Sequence, residues 1–319
     1  MPVPDLTIAI IHHRLRGYPH DCIESLMPLP PGTELLLIQA DSPATACPYP
    51  ARAISVGRDA SRAAAKNLAI SEARGEYLLL VTADTVARPG TVDRLRGFLA
   101  ESSAPAVVSA RLLQENGMPR RTAFAPPSIA RELNFFDWLW RQRRFPMRSR
   151  KPPVAGPVRR AEALHATFLM ARRETFLSVG EFAEGYRFAF EDMEWFWRAR
   201  RKGIALCVCP AAPAYKLAPQ LKGGLSPETW IALEASKLRC LGATRGRSYA
   251  RAYRATRASK SLAVWLTAAA LSRLFCGASE LLANQSAAHR AIWKMRADAT
   301  PGAELPPDIE SCVRWETFV

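Results

Sequence analysis

The sequence predicts an α/β fold: a doubly wound, mostly parallel sheet flanked by helices, with a helical C-terminal extension. Three observations carry that prediction. Strand-like and helix-like segments alternate four times within residues 6–110, the pattern of parallel strands joined by crossover helices. The strand segments are continuous apolar runs, as strands buried on both faces must be. From Pro227 onward the β-branched runs stop and a basic, partly apolar helical pattern takes over. The expected division is an α/β domain at residues 1–225 and an extension at 226–319.

Taken in order, Leu6–His12 (LTIAIIH) reads as the first buried strand, with His12 and His13 where open parallel sheets bind ligands. Asp21–Leu29 follows as a helix and Glu34–Gln39 (ELLLIQ) as the second strand, which runs into Ala40-Asp41-Ser42. Ile54–Val56 is a brief third strand. Asp59-Ala60-Ser61 caps the helix SRAAAKNLAISEARG, which Gly75 stops. Tyr77–Val81 is the fourth strand and leads into Thr82-Ala83-Asp84-Thr85. Asp84 stands where such folds bind ligands, although spacing alone serves a turn former equally well. A helix over Pro89–Leu99 and a strand over Ala106–Ala110 come next.

Residues 111–163 are irregular and basic. They contain an aromatic-rich amphipathic helix, Glu132–Arg141, and the cationic run Arg141–Lys151, suited either to phosphate or to a solvated loop. Phe168–Gly203 then reads as a buried strand, a short helix, a turn, and the pair Glu191-Asp192 opening a second helix with Glu194 behind. Carboxylates there meet the positive end of the helix dipole and project from a rigid element. An isolated pair would equally be a helix cap. Ile204–Cys209 is another buried strand, whose Cys207 and Cys209 share one face and read as core. In the extension, Lys237–Lys260 holds many cations and no acid, and Arg247, Arg251 and Arg254 share a helix face. The apolar stretch Leu262–Ala283 follows. A basic face beside such a stretch predicts an interfacial anchor on an anionic membrane; the alternative is a helix packed on the domain with its charges in water.

The formal charge of +15 predicts attraction to polyanions: nucleic acid, an anionic membrane surface or phosphorylated substrates. No nucleic-acid module is recognisable, so nucleic acid is not expected. Seven scattered cysteines suit reduced thiols in the cytoplasm. The N-terminus lacks a signal-peptide pattern, and no run reaches the roughly 18 apolar residues of a membrane span. The expected location is cytoplasmic, peripheral at the inner face of the cell membrane.

Three segments carry a resemblance. SRAAAKNLAISEARGEYLLLVTADT, FLMARRETFLSVGEFAEGYRFAFEDMEWFWRARRKG and the strand ending in Cys209-Pro210 resemble the family 2 glycosyltransferases. These GT-A (Rossmann-like) enzymes include many bacterial rhamnosyl- and other polysaccharide transferases, and the likeness spans residues 5–220. It implies inverting transfer of a sugar from a nucleotide-sugar donor to a hydroxyl of a lipid-linked or polysaccharide acceptor; a second copy of the chain is a further candidate partner on which the resemblance does not bear. By the same resemblance Asp84 would hold a divalent cation, Mn or Mg, and Asp192 would be the catalytic base with Glu191 beside it. Gln39 falls near the family's nucleobase-contacting Asp, with Asp41 two positions on. Asn67 would lie with the donor, and Arg198 would meet donor phosphate or pair with a carboxylate. The chain departs from the family pattern at several positions. Thr82 stands at the first Asp of the metal motif, Tyr215-Lys216-Leu217 where a His is usual, and His165 and Glu181 near family glycines. Lys216 or a nearby Arg would then supply fixed positive charge in the cation's place. The competing implication is a catalytically degenerate GT-A protein acting as a binding or scaffold subunit.

Overall fold

Strands β1 (Leu6–His13), β2 (Thr33–Ala40), β3 (Arg52–Val56) and β4 (Tyr77–Thr82) form a parallel half-sheet in the order β3-β2-β1-β4. The structure, a computed structural model, describes residues 4–13, 19–40, 49–57, 60–133, 156–186, 189–217 and 227–274. Asp41, Asp59, the cationic run Arg141–Lys151 and the apolar stretch past Leu274 lie outside these. Beyond β4 the sheet continues with β10 (Phe168–Arg172), β6 (Ala106–Leu113), β11 (Ala205–Lys216) and β5 (Thr85–Ala87). Here β6 and β11 are parallel, β10 runs antiparallel to both neighbours, and β5 and β8 (Arg159–Arg160) run antiparallel to β11. The antiparallel insertion of β10 is invisible in its apolar run, because burial on both faces looks the same in either direction. A second, two-stranded sheet pairs β7 (Ala123–Phe124) with β9 (Ala163–Leu164).

Strand alternation sorts the core into two layers. Ala9, Ile11, Leu36 and Ile38 face α2 (Arg62–Glu72), α5 (Arg173–Val179) and α6 (Glu191–Arg201). Ile8, Ile10, Leu35 and Leu37 face α1 (His20–Glu24) and α3 (Thr91–Glu101). Cys207 and Cys209 are buried free thiols in that second layer. On α2, the Ser61 hydroxyl accepts the Ala64 N–H at 3.0 Å, the expected cap. Its buried face is Ala63, Ala65, Lys66, Ala69 and Ile70, with the alanines small enough to bring the helix close to the sheet. At the exit Gly75 is obligatory, since a Cβ there would lie 2.5 Å from the Thr7 backbone nitrogen.

Two elements differ from expectation for local reasons. α1 ends at Glu24 rather than reaching Leu29, because Pro28 removes a donor and restricts the residue before it. β11 runs past Cys209 to Lys216, crossing Pro210 and Pro213 through a register shift between Cys209 and Pro213. Prolines are tolerated at such irregularities, and the extension carries Lys216 into register with Thr85 of β5.

In the extension, α7 (Pro227–Arg245) lies against α6, and α8 (Arg247–Leu274) packs on α7 and on α4 (Ile129–Leu133). Ala232, Leu233 and Cys240 of α7 form one apolar cluster with Tyr186, Ala189 and Phe190. The basic run divides by face. Lys237 donates to Glu234 at 2.8 Å, Arg257 to Glu234 at 3.2 Å, Lys260 to Glu132 at 3.4 Å and the Tyr253 hydroxyl to Glu132 at 2.7 Å. Both acids are held below the usual carboxylate range, the pull of these cations outweighing the upward push of burial. Arg247 and Arg251 remain on the exposed face. Among the described residues no helix is long and apolar enough to cross a membrane.

Candidate active site

Two charged centres stand at the C-terminal side of the parallel strands, the edge where open α/β sheets bind ligands. The first belongs to α6. Ala189 and Phe190 enter that helix with φ of 57° and 73°, left-handed values costly for residues bearing a Cβ. Burial of both against α7 holds them there. This entry turns Glu191 and Asp192 toward α2, where the Lys66 ammonium donates to Glu191 Oε1 at 3.2 Å and also to Asp192 Oδ1. Arg62, one turn earlier, lies 3.6 Å from Glu191 Oε1. The Lys66 side chain is 3 % exposed and stands 4.9 Å above the Phe182 ring.

The two carboxylates are made unequal. The Glu191 side chain is 4 % exposed and that of Asp192 is 23 % exposed, so Asp192 is the member more open to solvent. Burial raises the Asp192 pKa and the Glu191 charge adds to the rise, with Lys66 and Arg62 offsetting it only in part. At Glu191 burial pushes the same way, but Lys66 and Arg62 outweigh it and hold the group low, at about 2. Neighbouring carboxyls driven apart in proton affinity are an arrangement that acid–base sites use and that structural ion-pair networks also produce. Asp192 can take a proton; Glu191 stays ionised and fixes Lys66.

The second centre lies after β4. The Thr82 hydroxyl donates to Asp84 Oδ1 at 2.7 Å, and the Lys216 ammonium reaches that same oxygen and Thr82 Oγ1, the latter at 3.0 Å. The Leu217 N–H donates to the Asp84 carbonyl at 2.8 Å, so backbone pairing fixes the contact. Lys216 is 7 % exposed; burial lowers its pKa while Asp84 pulls it back up. A divalent cation wants several hard oxygen ligands. Here the one carboxylate is engaged by an ammonium, which has no lone pair to give. Among the described residues no three His, Cys, Asp or Glu side chains gather at metal-binding spacing. This donor set does not fit a divalent cation.

Half-buried His165, on the approach to β10, has its Nδ1 2.6 Å from the Thr167 hydroxyl. Burial foremost, then Lys216, Arg120, Arg62 and Lys66, keep its ring neutral.

The remaining sequence-predicted residues fall as follows. Gln39 is buried at the end of β2, in register with His12 and Ser55. The Asn67 amide donates to the Phe182 carbonyl at 2.9 Å and accepts the Phe182 N–H at 2.7 Å, tying α2 to the loop before α6. Arg198 spends its guanidinium on Glu194 at 2.8 Å, on the Val179 carbonyl at 2.7 Å and on the Glu181 carbonyl. Of the two roles left open for Arg198, its contacts are those of pairing. Lys66, Arg62 and Arg120 were not singled out in the sequence. Lys66 had a signal: a lysine on the Ala63, Ala65, Ala69 face of a helix has to be buried, and a buried ammonium needs carboxylates.

No protein-family model matches the chain, and no curated protein matches it. Among solved structures, GalNAc-T7 crystallised with UDP, GalNAc and Mn2+ aligns over 75% of this chain and 48% of its own, at TM-score 0.53 and 14% identity. TarS 1–349 from S. aureus, in complex with UDP-GlcNAc, aligns over 75% of this chain and 67% of its own, at TM-score 0.49 and 14% identity. The chain thus spans about half the length of the GalNAc-T7 chain. With the sheet order and helix layers described above, the GalNAc-T7 likeness shows that this chain has the fold of the GT-A glycosyltransferases.

Proposed function

We infer that the protein is an inverting glycosyltransferase that moves a sugar from a nucleotide-sugar donor to the hydroxyl of a lipid-linked or polysaccharide acceptor. One observation carries the reading: Asp192, a partly exposed carboxyl with raised proton affinity, opens α6 within a GT-A fold in which β4 runs out at the Lys216–Asp84 pair. The acceptor oxygen attacks the anomeric carbon, the bond from that carbon to the diphosphate oxygen breaks, and its electron pair leaves with the diphosphate. The acceptor proton passes to Asp192. A single displacement inverts the anomeric configuration.

Incubation with UDP-, GDP- and dTDP-sugars tests this without the acceptor, since water substitutes slowly for it. One donor is expected to release nucleoside diphosphate and a sugar of inverted configuration by NMR. Retained configuration would sink the single displacement. A donor that binds yet releases nothing would instead favour the scaffold reading, for which the engagement of both carboxylates by Lys66 speaks.

The same reading places the enzyme at the cytoplasmic membrane face, with residues 1–225 as catalytic domain and 226–319 as the extension. Exposed Arg247 and Arg251 on α8 support it. Each cation near an anionic surface contributes about 1 kcal/mol, so Arg247→Glu with Arg251→Glu is expected to weaken binding to phosphatidylserine vesicles at least about thirtyfold. Unchanged co-sedimentation would defeat the anchor.

A further inference from the structure

We propose that Lys216 takes the place of the divalent cation, its ammonium neutralising the donor's diphosphate, so that donor binding needs no metal. The proposal rests on the donor reading above and concerns how the same site handles charge.

Three observations lead to it. The first is position: Lys216 reaches Thr82 and Asp84, the two residues that align with the metal motif, and β-sheet register with Thr85 puts it there. It is a fixed part of the strand edge rather than a long side chain that wandered in. The second is the donor set. The Thr82 hydroxyl donates its proton to Asp84 and accepts from Lys216, so it offers a metal no charge. A metal bound at Asp84 would also have to share one carboxylate with an ammonium and would be repelled by it.

The third is the sign of the surroundings: Arg120 and Arg62 also act on Lys216, and with Lys66 they act on His165. Glu191 and Asp192 answer Lys66 and Arg62 from the other side. Fixed donors aimed at a departing oxyanion stabilise it without reorganising. Lys216 stays protonated throughout; it stabilises the electron pair that leaves with the diphosphate and transfers no proton.

The test is calorimetric titration of the full chain with UDP, GDP and dTDP, each in EDTA and in manganese. One nucleotide is expected to bind, with a Kd that differs less than about threefold between the two buffers. Lys216→Met should weaken that binding about tenfold or more, the scale of one lost charge-assisted contact. The Thr82→Asp/Lys216→His double variant, which restores an oxygen and an imidazole ligand, should bind manganese alone and make nucleotide binding manganese-dependent. If Lys216→Met does not fold, the comparison of buffers in the parent chain still decides. Nucleotide binding that appears only with manganese would overturn the proposal while leaving the glycosyltransferase reading intact. Equal affinity in the folded Lys216→Met variant would overturn it as well. Binding of none of the three nucleotides in either buffer would overturn the donor reading, and this proposal with it.

Discussion

The Asp192→Asn variant is expected to lose about 10²–10⁴-fold in sugar transfer, the usual worth of a positioned general base, while its donor affinity stays within about twofold. The substitution preserves shape, and the amide oxygen can still accept from Lys66, so the α2–α6 contact survives. What it removes is the ability to take a proton from the acceptor hydroxyl. The donor's diphosphate is assigned to the other centre, at Lys216, so nucleotide titration should barely register the change. In the parent chain kcat/KM should rise with pH through an Asp192 pKa above the ordinary aspartate value, because burial and the Glu191 charge favour the protonated form. The variant should lack that limb. Transfer retained at most of the parent rate would remove Asp192 from the role of base.

Lys66→Met should be the most destabilising single change at this site, by about 3–5 kcal/mol at pH 7, the cost of stranding buried charge by deleting its partner. One ammonium serves two carboxylates and also stands over the Phe182 ring, and Arg62, at 3.6 Å from Glu191 Oε1, covers only part of the loss. Acidity gives the distinguishing signature. In the parent, Glu191 titrates below its ordinary 4.5, so its contribution is present above that pH and is lost as the pH falls toward about 2. In the variant, burial pushes both carboxyls up, the folded state binds the extra protons, and stability rises as pH is lowered from 7. The gap between parent and variant should therefore narrow on acidification. Urea unfolding at pH 7 and pH 5 measures it; a gap below about 1 kcal/mol, or one unmoved by pH, would contradict the pairing.

Those two residues also show what the sequence makes legible. The Glu191-Asp192 pair stands out because carboxylates at the start of an aromatic and arginine-rich helix form a local pattern. Its partner Lys66 lies 125 residues away in sequence, and only the packing of α2 against α6 joins them. The strands were readable because burial on both faces writes itself as an unbroken apolar run, and the Ser61 cap because its chemistry is local. The course of β11 was not, since Pro210 and Pro213 argue for a stop and a register shift overrides them. Arg198 and Asn67 look like ligand-binding residues by alignment, yet their polar atoms hold the 179–184 loop and Glu194. A hydrogen-bonding side chain declares its type in the sequence and its partner only in the fold.

The packing of α7 beneath Ala189 and Phe190 bears on the order in which the molecule is made. A chain made from its N-terminus can complete the parallel half-sheet early, and α6 is synthesised before α7. At that stage Tyr186, Ala189 and Phe190 still lack Ala232, Leu233 and Cys240, the other half of their cluster. The two left-handed residues that aim Glu191 and Asp192 are thus held in place only once residues near 240 have folded back. Synthesis supplies the parallel half-sheet first and the clamp on Glu191 and Asp192 last, so a nascent chain carries half of its sheet before it carries a fixed carboxylate pair.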